Sequence, residues 1–201
     1  MAAADLDDLS GIFGPLSNPT RLGIVLRLAK GETNVTRLCA EFKLSQPLVS
    51  HHLGILRMSR LVVTQKTGRE VVCALAPQVK VSGGKLKISL PPYGVTLENY
   101  MAPAPDLREL AILFDLVSDA TRLRLVLLLT KGESNVSPLC EALKLPQPTV
   151  SHHLGLLRMN RLIVRQRQGL GVMYSLAPHA KVTGRKLKIS VPPCTVTLEG
   201  I

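Results

Sequence analysis

Gln46–Arg60 reads QPLVSHHLGILRMSR, and Gln147–Arg161 reads QPTVSHHLGLLRMNR. The two stretches lie 101 positions apart and belong to a longer repeat. At that offset Thr20–Glu98 aligns with Thr121–Glu199 without a gap, and 49 of the 79 positions are identical. Such a period exceeds the roughly 20–50 residues of solenoid repeats and suits a whole small domain. The chain therefore reads as two copies of one domain, 1–98 and 106–201. The linker, 99–105, lies within the aperiodic, proline-bearing ENYMAPAPD (Glu98–Asp106).

Within the first copy, Leu6, Leu9, Ile12, Phe13 and Leu16 fall at helical spacing. SNPTRLGIVLRLAKG predicts a second helix, with Ser17 or Asn18 as its cap, Pro19 in its first turn and Gly31 as its stop. NVTRLCAEFKL gives a third, with Leu38, Cys39 and Phe42 inward. The opening stretch makes a fourth, capped by Ser45 and burying Val49, Leu53 and Leu56. LVVTQKTGREVVCALA then reads as a hairpin turning at KTGR. Helices joined by a tight turn at Leu44-Ser45 and closed by a hairpin form a winged helix-turn-helix. Its fourth helix is the width of a DNA major groove, and its first turns are free to meet base edges. In Lys80–Glu98 the apolar residues Leu86, Ile88 and Leu90 alternate with Lys85, Lys87 and Ser89, which is strand periodicity. The expected fold is mainly α with small β wings (α+β): two tandem winged helix-turn-helix domains, each with a C-terminal β-appendage packed on its own copy or the other.

Composition narrows the function. The net charge is +11, with 12 basic against 7 acidic residues in 1–100 and 13 against 7 in 102–201, so both copies carry the excess. A polyanion, double-stranded DNA above all, is the partner this implies. Cys39, Cys73, Cys140 and Cys194 show no CxxC spacing, and neither a zinc finger nor a disulfide framework is expected. The acidic start MAAADLDDLSGIF lacks the apolar core of a secretory leader, and LRLVLLLT is too short to span a bilayer. The expected setting is the cytoplasm, with nucleoid association and no membrane partner.

NPTRLGIVLRL, LSQPLVSHHLGILR and the glycine-bearing wing resemble the ArsR-type winged-helix transcriptional repressors, over about residues 17–76 and 118–177. The resemblance implies a cytoplasmic DNA-binding repressor, dimeric in most members, whose fourth helix enters the major groove while the wing follows the backbone. Three departures stand out. The Cys-x-Cys pair of metal-sensing members is absent, and NVTRLC and NVSPLC carry lone cysteines that read as core residues. The C-terminal helix that supplies dimer contacts is replaced by the Lys-Leu-Lys-Ile segment. Two domains share one chain, as in a dimer fused into a single-chain pseudodimer, with further homodimerisation open. No metal or other cofactor is expected.

On the fourth helix, Gln46, Leu48, Ser50 and His51 are the expected readers, matched by Gln147, Thr149, Ser151 and His152 in the second copy. Gln pairs bidentately with adenine, and Leu or Thr can meet a thymine methyl. Arg57 and Arg158 end the helices, where they could bond phosphate or complement the helix C-terminus. Lys66, Arg69, Arg165 and Arg167 are the wing's phosphate candidates. His52 and His153 read either as structural histidines bonded to a backbone group or as DNA contacts. Gly54 is expected to permit a close approach to a neighbour or to DNA, and Lys85, Lys87, Lys186 and Lys188 of the appendages either extend the basic surface or, the reading preferred, guard an edge strand. Adjacent Ser50 and His51 do not face each other as nucleophile and base would, and no acid lies within a turn to orient either histidine, so no enzyme is expected. Three functions follow from this reading: a repressor reading a near-palindromic operator with two helices, an architectural protein coating or bridging DNA, and an interaction module that has lost DNA binding.

Overall fold

The computed structural model describes residues 3–101, 106–169 and 171–201. The order of elements is α1 (Ala3–Leu16), α2 (Pro19–Leu28), β1 (Thr33–Asn34), α3 (Val35–Phe42), α4 (Gln46–Met58), β2 (Val62–Thr67), β3 (Glu70–Leu75), β4 (Val79–Ser82), β5 (Lys85–Leu90) and β6 (Tyr93–Glu98). The second copy follows with α5 (Leu107–Ser118), α6 (Ala120–Leu129), α7 (Val136–Leu143), α8 (Gln147–Met159), β7 (Ile163–Gln168), β8 (Gly171–Leu176), β9 (Ala180–Thr183), β10 (Lys186–Val191) and β11 (Cys194–Glu199). Residues 102–105 of the expected linker lie outside the described residues. Within the rest of it Tyr100 is buried; Asp106, the first residue beyond it, accepts hydrogen bonds from the Arg108 and Glu109 amides to cap α5.

Local chemistry starts most of the helices. Asn18, not Ser17, caps α2, accepting from the Thr20 and Arg21 amides, with Pro19 as the first helical residue. Asn34 caps α3 through the Arg37 amide. Lys43 and Lys144 then turn left-handed, at φ 55° and 54°, which stops α3 and α7 and starts the tight turn into α4 and α8. Ser45 sits at the cap position of α4, but its side chain makes no capping bond, and Pro146 takes that place in the second copy. The expected serine cap is therefore absent; Pro47 and Pro148 in the first turn, which need no amide partner, favour the helix start instead. The wing hairpins form as expected, from β2 with β3 and from β7 with β8. In the first copy β1 adds a third strand, which the sequence did not announce; its counterpart is the single bridge Ser134–Tyr174.

The β-appendages do not stay apart. They join in one antiparallel sheet of order β4-β5-β6-β11-β10-β9. Across the join Thr96 faces Thr197, Leu97 faces Val196 and Val95 faces Leu198. Thr197 is Thr96 displaced by the repeat of 101, and the other two pairs exchange under that shift, so a pseudo-twofold axis passes between the threonines. The same axis passes between Phe13 and Phe114, also repeat equivalents, whose rings stack 5.9 Å apart at 20°. The two copies thus pair within one chain, helix α1 on α5 and strand β6 on β11. On the inner face of the sheet Leu86, Ile88, Val95, Leu97, Leu187, Ile189, Val196 and Leu198 are buried in one continuous core with α1, α2, α5 and α6.

The lysines expected on an edge strand lie elsewhere. β5 and β10 are interior strands, and the edges are the four-residue β4 and β9. Lys85 pairs with Glu98 at 2.7 Å, and Glu199 holds both Lys87 at 2.7 Å and Lys186 at 3.0 Å. The Lys87–Glu199 pair reaches over β6 at Gly94, where an added Cβ would stand 3.3 Å from the carboxylate and 3.6 Å from the lysine stem. Its repeat equivalent is Thr195, whose side chain fills that path, and Glu98 pairs within its own copy instead.

The hydrogen bonds from Lys87 and Lys186, ahead of the opposing effect of burial, hold the Glu199 carboxyl below its ordinary pKa. A depressed carboxylate pKa contributes stability above the unfolded-state value, which is lost as pH falls through the folded-state value. Glu199→Gln should therefore lower unfolding free energy by about 0.5–1 kcal/mol at pH 7, the scale of a solvent-facing pair. Chemical denaturation should show the gap closing below about pH 4; a gap that persists in acid would assign the effect to packing.

Candidate nucleic-acid interface

Helix α4 rests on α2, α3 and β2, and α8 on α6, α7 and β7. The buried stripe is Val49, Leu53 and Leu56 in one copy and Val150, Leu154 and Leu157 in the other. This leaves the first turns of both helices facing outward. Gln46, Leu48, Ser50 and His51 are exposed, as are Gln147, Thr149, Ser151 and His152. Arg57 and Arg158 are exposed at the far ends, and Lys66, Arg69, Arg165 and Arg167 are exposed on the wings. In the second copy Arg158, Arg161, Arg165 and Arg167 line one open groove of about 660 Å³ between the end of α8 and the wing, with His179 at its margin.

The two histidines of each motif part company. His51 and His152 are exposed. His52 is 9% exposed, and its buried Nδ1 has no hydrogen-bond partner among the described residues. Burial, then the nearby Arg21 and His51 side chains, push its pKa below the ordinary histidine value, which favours the neutral form. His153 Nδ1 is likewise buried without a hydrogen-bond partner among the described residues; it lies 3.7 Å from Asp119 Oδ1, the aspartate that caps α6 where α2 has Asn18. Gly54 faces no close neighbour: an added Cβ would meet no protein atom within 4 Å.

One pair of residues escaped the sequence reading. Arg21 donates to the carbonyls of Pro15 and Gly14, and Arg122 to those of Leu116 and Asp115. Each guanidinium ties the end of α1 or α5, the helices that pair across the pseudo-twofold axis, to α2 or α6, on which the reading helix rests. Their signal is an arginine at the same place in the Thr-Arg-Leu start of both segments.

The buried thiols Cys73 and Cys194 are pushed up in pKa by desolvation, and Cys39 and Cys140 are half-buried against the core. Among the described residues no cluster of three His, Cys, Asp or Glu side chains could hold a metal ion, and no helix is long and apolar enough to cross a membrane.

The sequence pattern described as "Bacterial regulatory protein, arsR family" matches residues 18–64 and 119–164, once in each copy. Over 76 residues the chain is 45% identical to the arsenical resistance operon repressor of Escherichia coli (strain K12), a match covering 37% of this chain and 65% of that protein. It is 40% identical over 76 residues to the transcriptional repressor SmtB homolog of Synechocystis sp. (strain ATCC 27184 / PCC 6803 / Kazusa), covering 38% and 58%. Among solved structures, the transcriptional regulator HlyU from Vibrio vulnificus CMCP6 matches at 35% identity and a TM-score of 0.32, over 34% of this chain and 71% of that one. The chain spans between about half and two thirds of the length of the curated relatives it matches first.

Proposed function

Both winged-helix copies of this chain belong to the bacterial ArsR family of regulatory proteins, and from that premise we propose that the chain is a sequence-specific DNA-binding repressor that reads a near-palindromic operator. It divides into the domains 1–98 and 106–201 joined by 99–105, a dimer's worth of reading heads in one polypeptide. The observation that carries this reading is the outward, unobstructed placement of two equivalent helical tips related by the pseudo-twofold axis. A dyad in the protein calls for inverted half-sites in the DNA, about one helical turn apart.

In this reading Gln46, Ser50, His51 and their counterparts Gln147, Ser151 and His152 meet base edges or adjacent phosphates. Leu48 and Thr149 both suit a thymine methyl, and only Thr149 adds a hydroxyl, so the half-sites differ slightly. Arg57, Arg158, Lys66, Arg69, Arg165 and Arg167 hold the phosphate backbone, which sets register and affinity without reading sequence. The protein acts by occupying DNA, catalyses nothing, and works in the cytoplasm on the nucleoid.

Selection of bound duplexes from a random pool tests this. A dyad-related consensus should emerge, bound at least about a thousandfold more tightly than random sequence at fixed salt. His51→Ala with His152→Ala should weaken consensus binding by about 1–3 kcal/mol per head while leaving random-sequence binding nearly unchanged. Equal affinity for all sequences would favour the architectural alternative. Loss of all binding at low salt would favour the interaction module.

A further inference from the structure

The outer face of the six-stranded sheet is made of lysine, serine, threonine, glycine and glutamate alone. Strand alternation and register lay it out. One row crosses the whole sheet as Lys80, Lys87, Thr96, Thr197, Lys188 and Lys181. The flanking rows add Lys85 beside Glu98 and Lys186 beside Glu199. Six lysines thus face two glutamates, and both glutamates are already engaged by Lys85, Lys87 and Lys186. Among the described residues Lys80, Lys181 and Lys188 have no carboxylate partner. With strands about 4.8 Å apart, the row spans roughly 24 Å.

At the centre of the row the Thr197 hydroxyl is buried with no hydrogen-bond partner. The opposite face of the sheet packs on α1, α2 and α5, and α2 in turn supports α4. The lysine face and the reading heads therefore lie on different sides of the helical layer.

We propose that this face is a second binding surface for the sugar-phosphate backbone of duplex DNA, so that one chain holds an operator with α4 and α8 and a second duplex segment with the sheet. Charge and composition select this occupant. A docking protein would be expected to meet buried aromatic or aliphatic anchors, and a membrane would need apolar residues to insert; this face has neither. A broad, donor-rich array without apolar anchors fits phosphate oxygens, which fix position without reading bases. Lys80, Lys181 and Lys188 are exposed and break no ion pair on meeting a phosphate, and the lysines are placed symmetrically about the pseudo-twofold axis, so the face meets a duplex equally in either direction. This surface goes beyond the operator reading and does not depend on it.

A bridging assay on the full chain tests the proposal. A fixed duplex, the selected consensus where one emerges, is loaded with protein, and capture of a second, labelled random-sequence duplex is measured between 50 and 200 mM salt. The wild type should capture. Lys80→Gln, Lys181→Gln and Lys188→Gln together break none of the ion pairs above and should reduce capture at least tenfold. They should lower the log–log salt slope of random-duplex binding by about two to three, while consensus affinity changes less than twofold. Undiminished capture by the triple variant, or no capture by wild type at 50 mM salt, would overturn the proposal. So would displacement of the second duplex by polyglutamate at equal charge, which would assign the face to acidic proteins. Should selection find no consensus while lysine-dependent binding of random duplex persists, the operator reading fails and this surface stands.

Discussion

Phe13→Ala is expected to lower the unfolding free energy by about 3–5 kcal/mol, and Phe114→Ala by a similar amount. Each ring is almost wholly buried, and each is the other's largest neighbour across the pseudo-twofold axis. A loss of that size is a large share of the roughly 5–15 kcal/mol that holds a typical domain. Because the rings touch, the effects should not add: the second substitution removes contacts that the first has already halved. Urea unfolding of both single variants and the double would yield the coupling directly. Phe→Leu at either place should cost less than Phe→Ala, since volume is partly kept. A cost below about 1 kcal/mol for Phe13→Ala would mean that α1 and α5 do not form the shared core. The loss also reaches function, because the same helices fix the distance between the two reading heads, and a protein that holds them loosely gives up the gain of binding both half-sites at once.

The repeat, the helices and the wings could be read from the chain because each is written locally: apolar residues at helical spacing, an asparagine ahead of Pro19, and Gly68 between two β-branched runs. The exposed faces of α4 and α8 followed from the same periodicity, since burying Val49, Leu53 and Leu56 turns Leu48, Ser50 and His51 outward. The joining of the appendages could not be read that way. Alternation in Lys85–Leu90 says that one face is buried, and it is silent on which strand lies alongside. In the structure Tyr93–Leu97 is buried throughout, as befits a central strand on the pseudo-twofold axis, but nothing local in the sequence of β6 names its partner. The lysines were misplaced to an edge for the same reason: an interior strand with a solvated face has the same local pattern as a guarded edge. The unpartnered Nδ1 of His52 and of His153 could not be read locally either, because what faces these atoms comes from helices more than 30 positions away in sequence.

A fragment ending at Met101 should form a homodimer. The pairs at the join are self-complementary under the repeat: whatever β6 presents to β11, it can present to a second β6, with Thr96 on Thr96, Val95 on Leu97 and Phe13 on Phe13. Left alone, the fragment would expose Val95, Leu97 and Phe13, a patch that an isologous partner covers at once. The two halves differ in how well they should do this. A dimer of the first copy has Gly94 on both sides of the axis, so Lys87 can reach the Glu98 carboxylate across the join twice. A dimer of 106–201 has Thr195 in both places and can form neither bridge. Sedimentation equilibrium should accordingly find 1–101 dimeric at micromolar concentration and 106–201 dissociating more readily. Gly94→Thr should bring the first fragment down to the level of the second. If folded 1–101 stays monomeric at that concentration, or if 106–201 associates more tightly, then the glycine path and the pseudo-twofold pairing are not what joins the copies.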